Sequence, residues 1–211
     1  MKNNYFQYYK PNVVIGFIVV LGSGIGALVT WLIKFFNEFL DISYYQYPTA
    51  SVIIAILILA IDKWLWQYKP FSFLYSIPNI SGRYEGIIRY HNPRTDQDES
   101  KQCIVEIIQT GSKVKINSYF QKPFGQEQTP SKSLIETVVK NDDDTYSLVF
   151  TYRNQGIPGE FAGHNGTNIL KLIDNENGRF LKGVYYTDRE PFQTRGQMEV
   201  KFITKKIKND F

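Results

Sequence analysis

The side chains best suited to bond-making chemistry are few and far apart. There are two histidines, His91 and His164, and one cysteine, Cys103. A single thiol excludes an intrachain disulfide, and so few Cys and His ligands leave a zinc site without a donor set. The chain contains no H-E-x-x-H, no nucleophile elbow and no G-x-x-x-x-G-K phosphate loop, so the commoner hydrolytic machineries lack their parts. Asp142 to Asp144 fall where a hairpin turn is expected, a solvated loop rather than a metal site. Gly22, Gly24 and Ala27 spell G-x-G-x-x-A, but the repeated βαβ pattern that a dinucleotide fold requires is missing. No catalytic residue, metal or cofactor is expected. The reading is a binding protein rather than an enzyme.

The elements that must position any binding residues fall into two groups. From Val13 to Ile33 there is no charge, and at ~1.5 Å per residue that run is roughly 31 Å of helix, the thickness of a bilayer core. Lys2 and Lys10 precede it, as in a signal peptide. However, the run is longer than an h-region and no A-x-A-like site follows, which favours a retained anchor. Gly22 and Gly26 form G-x-x-x-G, a small-residue face for helix packing in lipid. A second apolar stretch covers about residues 44–66, with Tyr44, Tyr45 and Tyr47 at its start and Trp64 and Trp66 at its end, as an aromatic belt would be placed. It is read as a second span, the alternative being a helix lying in the interface. Residues 1–70 are then a transmembrane hairpin. Lys2, Lys10, Lys63 and Lys69 flank it while the connecting loop is net acidic, so the positive-inside rule puts both ends in the cytoplasm.

After a linker at 71–79 the period changes to two. Strands are expected at Arg83–Tyr90, Gln102–Gln109, Lys113–Phe120, Ser131–Val139, Thr145–Arg153, Thr167–Ile173, Arg179–Thr187 and Gly196–Thr204. Each is rich in Val, Ile, Tyr and Phe and bounded by turn residues. Eight consecutive strands with short links predict an antiparallel up-and-down, lipocalin-like β-barrel over 80–205, followed by a tail at 206–211, because closure removes exposed edges. The faces assigned by alternation include tyrosines, Ser118 and Thr187 among aliphatic residues. A polar-rimmed pocket and a filled core with tyrosine hydroxyls at the mouths both remain open.

A two-helix hairpin joined to a barrel that opens with Ser81 to Gly86 (SGRYEG), continues through Ile107 to Thr110 (IIQT), Ser131 to Ser133 (SKS), His164 to Thr167 (HNGT), Gly183 to Thr187 (GVYYT) and Arg189, and closes with Thr194 to Met198 (TRGQM), resembles the two-transmembrane β-barrel effectors of bacterial cyclic-oligonucleotide anti-phage signalling (CBASS). The resemblance implies a receptor for a cyclic dinucleotide made by a partner nucleotidyltransferase during phage infection. It also implies a protein of the bacterial inner membrane, homo-oligomerisation on activation, membrane disruption and abortive infection, with no DNA or RNA polymer as partner.

Such a ligand carries two phosphates and two bases, and its pocket needs cations, stacking faces and polar edges. Thr187, Arg189 and Arg195 lie near adjoining strand ends, where they could clamp phosphates. Tyr84, Tyr90, Tyr152 and Tyr185 could stack, and Gln109, Ser118, Ser131, Ser133 and Thr167 could reach base edges. The rival is a membrane-tethered carrier or sensor of a hydrophobic molecule, since barrels of this size also enclose lipids. A membrane enzyme using the barrel cavity would have His164 as its acid or base.

Overall fold

A computed structural model describes residues 6–40, 50–93, 95–120, 129–156, 162–190 and 192–209. The chain divides into two compact units, residues 1–78 with Thr110–Lys113, and residues 79–109 with 114–211.

In the first unit, helix α1 (Pro11–Leu40) contains the whole uncharged run. Ile15, Val19, Val20, Leu28, Trp31 and Phe35 stand exposed along it, a surface that water would not tolerate and lipid would. Ser23 Oγ and Thr30 Oγ1 donate to the carbonyls of Val19 (3.0 Å) and Gly26 (2.8 Å), so neither hydroxyl is left bare on an apolar helix. Among the described residues α1 is the one helix long and apolar enough to cross a membrane. The expected second span is represented by helix α2 (Ala50–Lys63), about 21 Å long at 1.5 Å per residue, while residues 44–49 lie outside the described ones. Gly22 faces α2: a Cβ there would meet Ile54 Cδ1 at 3.4 Å.

Short elements follow α2 and run into the start of the expected 71–79 linker. A short 3-10 turn (Leu65–Gln67) leads to helix α3 (Lys69–Ser72), and Tyr75 then bridges to Tyr9. Tyr9, Val14, Ile61, Trp66, Leu74 and Tyr75 form the unit's apolar core. Asp62 is buried in this unit, and its carboxylate accepts from Tyr9 Oη at 2.6 Å and Ser112 Oγ at 3.0 Å, while its carbonyl accepts from Gly111 N at 2.9 Å.

The second unit is a closed barrel of eight strands in sequence order, β1 (Gly82–Asn92), β2 (Gln97–Gln109), β3 (Val114–Phe120), β4 (Thr129–Lys140), β5 (Tyr146–Asn154), β6 (His164–Asn175), β7 (Gly178–Thr187) and β8 (Arg195–Thr204). Every neighbouring pair is antiparallel, and β8 returns to β1 through pairs such as Gly86↔Val200 and Tyr90↔Gly196. The expected up-and-down topology is present, the largest displacement being at β2, which begins at Gln97 rather than Gln102. Gly86 and Gly183 let neighbouring strands approach: a Cβ on either would overlap the carbonyl oxygen of Glu199 or Ile169, which tightens the curvature that closure needs.

The interior is segregated along the barrel axis. Toward the end where β1 begins, Ile80, Val105, Ile107, Val114, Ile116, Leu148, Leu170, Leu181 and Val200 are buried, a packed aliphatic plug. Toward the end where β1 finishes, the buried or half-buried inward set changes to Tyr90, Ser118, Ser131, Tyr152, Asn154, Asn168, Tyr185 and Thr187. The aliphatic end is a filled core, and the polar end gathers the tyrosines and hydroxyls that the alternation pointed inward.

Candidate functional site

The polar end is built by strand register. Around it run the cross-strand pairs Ser118↔Ser131, Ser131↔Asn154, Tyr152↔Gly166, Gly166↔Thr187, Asn168↔Tyr185, Tyr185↔Gly196, Gly196↔Tyr90 and Tyr90↔Glu99. Period-two alternation sends all of these side chains inward. Phe120 and Phe150 lie 6.3 and 6.2 Å from the Tyr152 ring, centroid to centroid, so an aromatic wall borders the polar groups.

Arg189 is a cation at this end of the barrel. Burial raises the pKa of the Tyr90, Tyr152 and Tyr185 hydroxyls and lowers that of His164, and the charge of Arg189, half-buried just after β7, opposes the first effect and adds to the second. Burial, the larger effect, keeps all three tyrosines protonated. The loop bearing Arg189 is clasped on both sides. Asp188 accepts from Asn165 N (2.6 Å) and Asn165 Nδ2 (2.9 Å). Thr187 N donates to Thr194 O at 2.9 Å, and the Thr187 and Thr194 hydroxyls bond at 2.8 Å. Lys101 is a second cation at this level, its Nζ 5.2 Å from the centre of the Tyr90 ring. The hydroxyl of that tyrosine donates to Glu99 at 2.7 Å, a bond that lowers the Glu99 pKa.

The sequence-predicted residues sort into three places. Tyr90, Ser118, Ser131, Ser133, Tyr152, Tyr185, Thr187 and Arg189 are at the polar end, where two of the serines already have structural bonds: Ser131 Oγ accepts from Asn154 Nδ2 (2.9 Å) and Ser133 Oγ from Ile116 N (3.0 Å). Tyr84 and Gln109 are at the opposite end. Tyr84 Oη donates to Ile80 O at 2.9 Å, Gln109 Oε1 accepts from Ile80 N at 2.8 Å, and burial pushes the Tyr84 phenol up to about 12. These two close the plug. Thr167 and Arg195 face outward, Thr167 against Thr151 at 3.3 Å and Arg195 exposed opposite Tyr186.

Sequence reasoning missed Asn168, Asn154, Lys101 and Glu99. Asn168 is 0% exposed, and among the described residues neither its Oδ1 nor its Nδ2 has a hydrogen-bond partner, nor does Ser118 Oγ. Counting back by twos from Leu170 along β6 would have found Asn168. Cys103, by contrast, is buried, and desolvation pushes its thiol up to about 12, which makes it inert. On the outer side of the same end a cleft of about 510 Å³ is lined by Arg89, Tyr90, His91, Asp98, Glu99, Ser100, Gly196 and Gln197.

The barrel thus has an aliphatic plug at one end and inward-facing tyrosines and hydroxyls, with the Lys101 ammonium beside Tyr90, at the other. Residues 75–201, more than half of the chain, match the family described as Cap15, cyclic dinucleotide receptor domain. The chain belongs to that family, the sensor domain of CBASS effectors. No curated protein matches it.

Proposed function

We propose that the mouth takes up one cyclic dinucleotide, with Arg189 and Lys101 on its two phosphates and Tyr90, Tyr152 and Tyr185 against its bases. What carries this reading is the convergence of the inward-facing Tyr90, Tyr152, Tyr185, Ser118 and Thr187 on one end of the barrel, with Lys101 Nζ 5.2 Å from the centre of the Tyr90 ring, together with the family to which the barrel belongs. Guanidinium and ammonium groups match phosphate charge, and tyrosine faces accept bases of any sequence. A hydrophobic carrier would instead line this level with aliphatic side chains.

In the same reading, a partner nucleotidyltransferase makes the ligand during phage infection. The N-terminal helices are a membrane hairpin with both termini in the cytoplasm, and ligand-driven self-association lets them disrupt the inner membrane. Ligand must bind the associating state more tightly, since equal affinity for both states shifts nothing.

The test is titration calorimetry on the full chain in detergent with a panel of cyclic dinucleotides and, separately, a fatty acid. Losing a charge-assisted bond costs about 1.5–3 kcal/mol, roughly ten- to a hundredfold in affinity. Arg189→Ala is expected to lose that much, and Arg195→Ala, on the outer face, almost nothing. Fatty-acid binding without cyclic dinucleotide binding would replace the receptor reading with the carrier one.

A further inference from the structure

Asn168 is a costly residue at the polar end of the barrel. Its side chain is completely buried, pairs across the sheet with Phe150 on one side and Tyr185 on the other, and has both polar atoms unbonded among the described residues. A buried amide in this condition has lost its water without gaining a partner, and native structures tolerate that mainly where function requires it. Nothing in the packing demands an amide there, because Leu170 occupies the next inward position of the same strand. The amide offers a donor beside an acceptor in one plane, the complement of a nucleobase edge that carries an acceptor beside a donor. Ser118, on β3, adds a second buried hydroxyl without a partner, and the Tyr185 ring beside Asn168 supplies a face for the same base.

We propose that Asn168 is the residue that reads a nucleobase of the bound ligand, its amide left unsatisfied in the resting barrel so that only a base with a matching edge can satisfy it. This inference rests on the receptor reading above and adds to it the origin of base selectivity. A base of the wrong pattern leaves the same atoms unpaired and gains nothing for its own desolvation, so selectivity comes from a penalty already present.

The same logic separates binding from stability. Asn168→Leu keeps the branching and heavy-atom count, with somewhat larger terminal groups, and removes an unsatisfied polar group, so the full-length protein should melt at an unchanged or higher temperature while binding is lost. A structural asparagine would do the opposite. The experiment measures the melting temperature and the affinities of wild type, Asn168→Leu and Asn168→Asp for cyclic di-AMP, di-GMP, di-UMP and di-CMP. The expected result is a preferred ligand for wild type, a loss on the order of tenfold or more in Asn168→Leu without a lower melting temperature, and an altered order of preference in Asn168→Asp. That order should move toward guanine, whose edge presents two donors to an acceptor-only carboxylate. Asn168→Leu that melts several degrees lower, or variants that keep both the affinity and the order of wild type, would overturn the assignment to Asn168 and leave the receptor reading intact. Failure of wild type to bind any of the four would overturn the receptor reading itself, and this inference with it.

Discussion

Gly166 lies directly under the ring of Tyr152: the two residues are cross-strand partners, and a Cβ built on the glycine would collide with the phenol carbons and oxygen. The space that a side chain would fill is what lets the tyrosine lie flat toward its Phe120 and Phe150 neighbours. Gly166→Ala is expected to push that ring into the mouth. The barrel has seven other strands to hold it, so the melting temperature should fall by a few degrees only, for a cost of about 1–3 kcal/mol typical of overpacking. Cyclic dinucleotide affinity should drop tenfold or more. Calorimetry showing an unchanged Kd would remove Tyr152 from the ligand site.

A second relationship, far from the mouth, governs stability. Arg83 Nη1 meets Glu106 Oε1 at 2.9 Å with side chains only 2% and 0% exposed, and Arg83 Nε meets Glu85 at 2.7 Å. Both residues lie on strand positions that alternation points outward, where the backbone amides of Lys208 and Asn209 fold over and donate to the Glu106 carboxylate. Removing one partner leaves the other charge buried, a loss of about 3–5 kcal/mol. Glu106→Ala should lower the midpoint of urea unfolding by that equivalent, while Arg83→Met with Glu106→Leu should recover most of it. Equal stability of the single and double variants would show that the loss in Glu106→Ala does not come from an orphaned Arg83 charge.

His164 gives the mouth a pH dependence. Burial first, and the charge of Arg189 second, hold it below its usual value of 6.5, with the Ala162 backbone and Asp188 opposing. A histidine depressed in the folded state is neutral at pH 7, so its contribution is full above the unfolded value and is lost as pH falls through about 6.5. Thermal stability of the unliganded protein should therefore decline from pH 7 to pH 5, and His164→Gln should flatten part of that decline. A bound phosphate would offset the Arg189 charge and raise His164, so ligand uptake takes up protons and tightens on acidification. Calorimetry in two buffers of different ionisation enthalpy reads this directly, and identical heats in both would show that His164 does not titrate on binding.

How much of this was readable beforehand depends on which physical signal fixes each feature. Barrel topology was legible because alternation of Tyr84, Gly86, Ile88 and Tyr90, or of Tyr146, Leu148, Phe150 and Tyr152, is a strong period-two pattern that short polar turns punctuate. Residue choice within the mouth was less so. In β6, Thr167 and Asn168 are adjacent and both polar, so local polarity cannot say which one points inward; only the register with Phe150 and Tyr185 decides it. In β4 the shift between Ser133 and Ile135 resets the alternation and turns Ser133 to a structural bond. Arg189 and Arg195 looked equivalent because both sit at strand ends; the structure leaves Arg195 exposed and Arg189 half-buried in a loop that the Thr187–Thr194 bond closes, a loop property invisible to periodicity. The plug roles of Tyr84 and Gln109 come from Ile80, just before β1, a segment that carries no pattern of its own.

The small-residue face of α1 separates into two positions with different consequences. Gly22 is already used within the chain, where a Cβ would lie 3.4 Å from Ile54 Cδ1, whereas among the described residues nothing lies within 4 Å of a Cβ on Gly26. A leucine at Gly22 should therefore disturb the packing of α1 on α2 and lower the yield of folded protein. Gly26→Leu should leave the resting protein unchanged, since it fills open space. If the helices pack between molecules through this face when ligand gathers the barrels, Gly26→Leu removes the close approach on which such packing depends. Cells carrying Gly26→Leu should then express the protein at normal levels, and the purified variant should bind cyclic dinucleotide with wild-type affinity, yet phage infection should no longer lead to cell death. Death that persists at the wild-type rate would exclude Gly26 from the assembly and move the search to the exposed Val19, Val20 and Leu28 on the same helix.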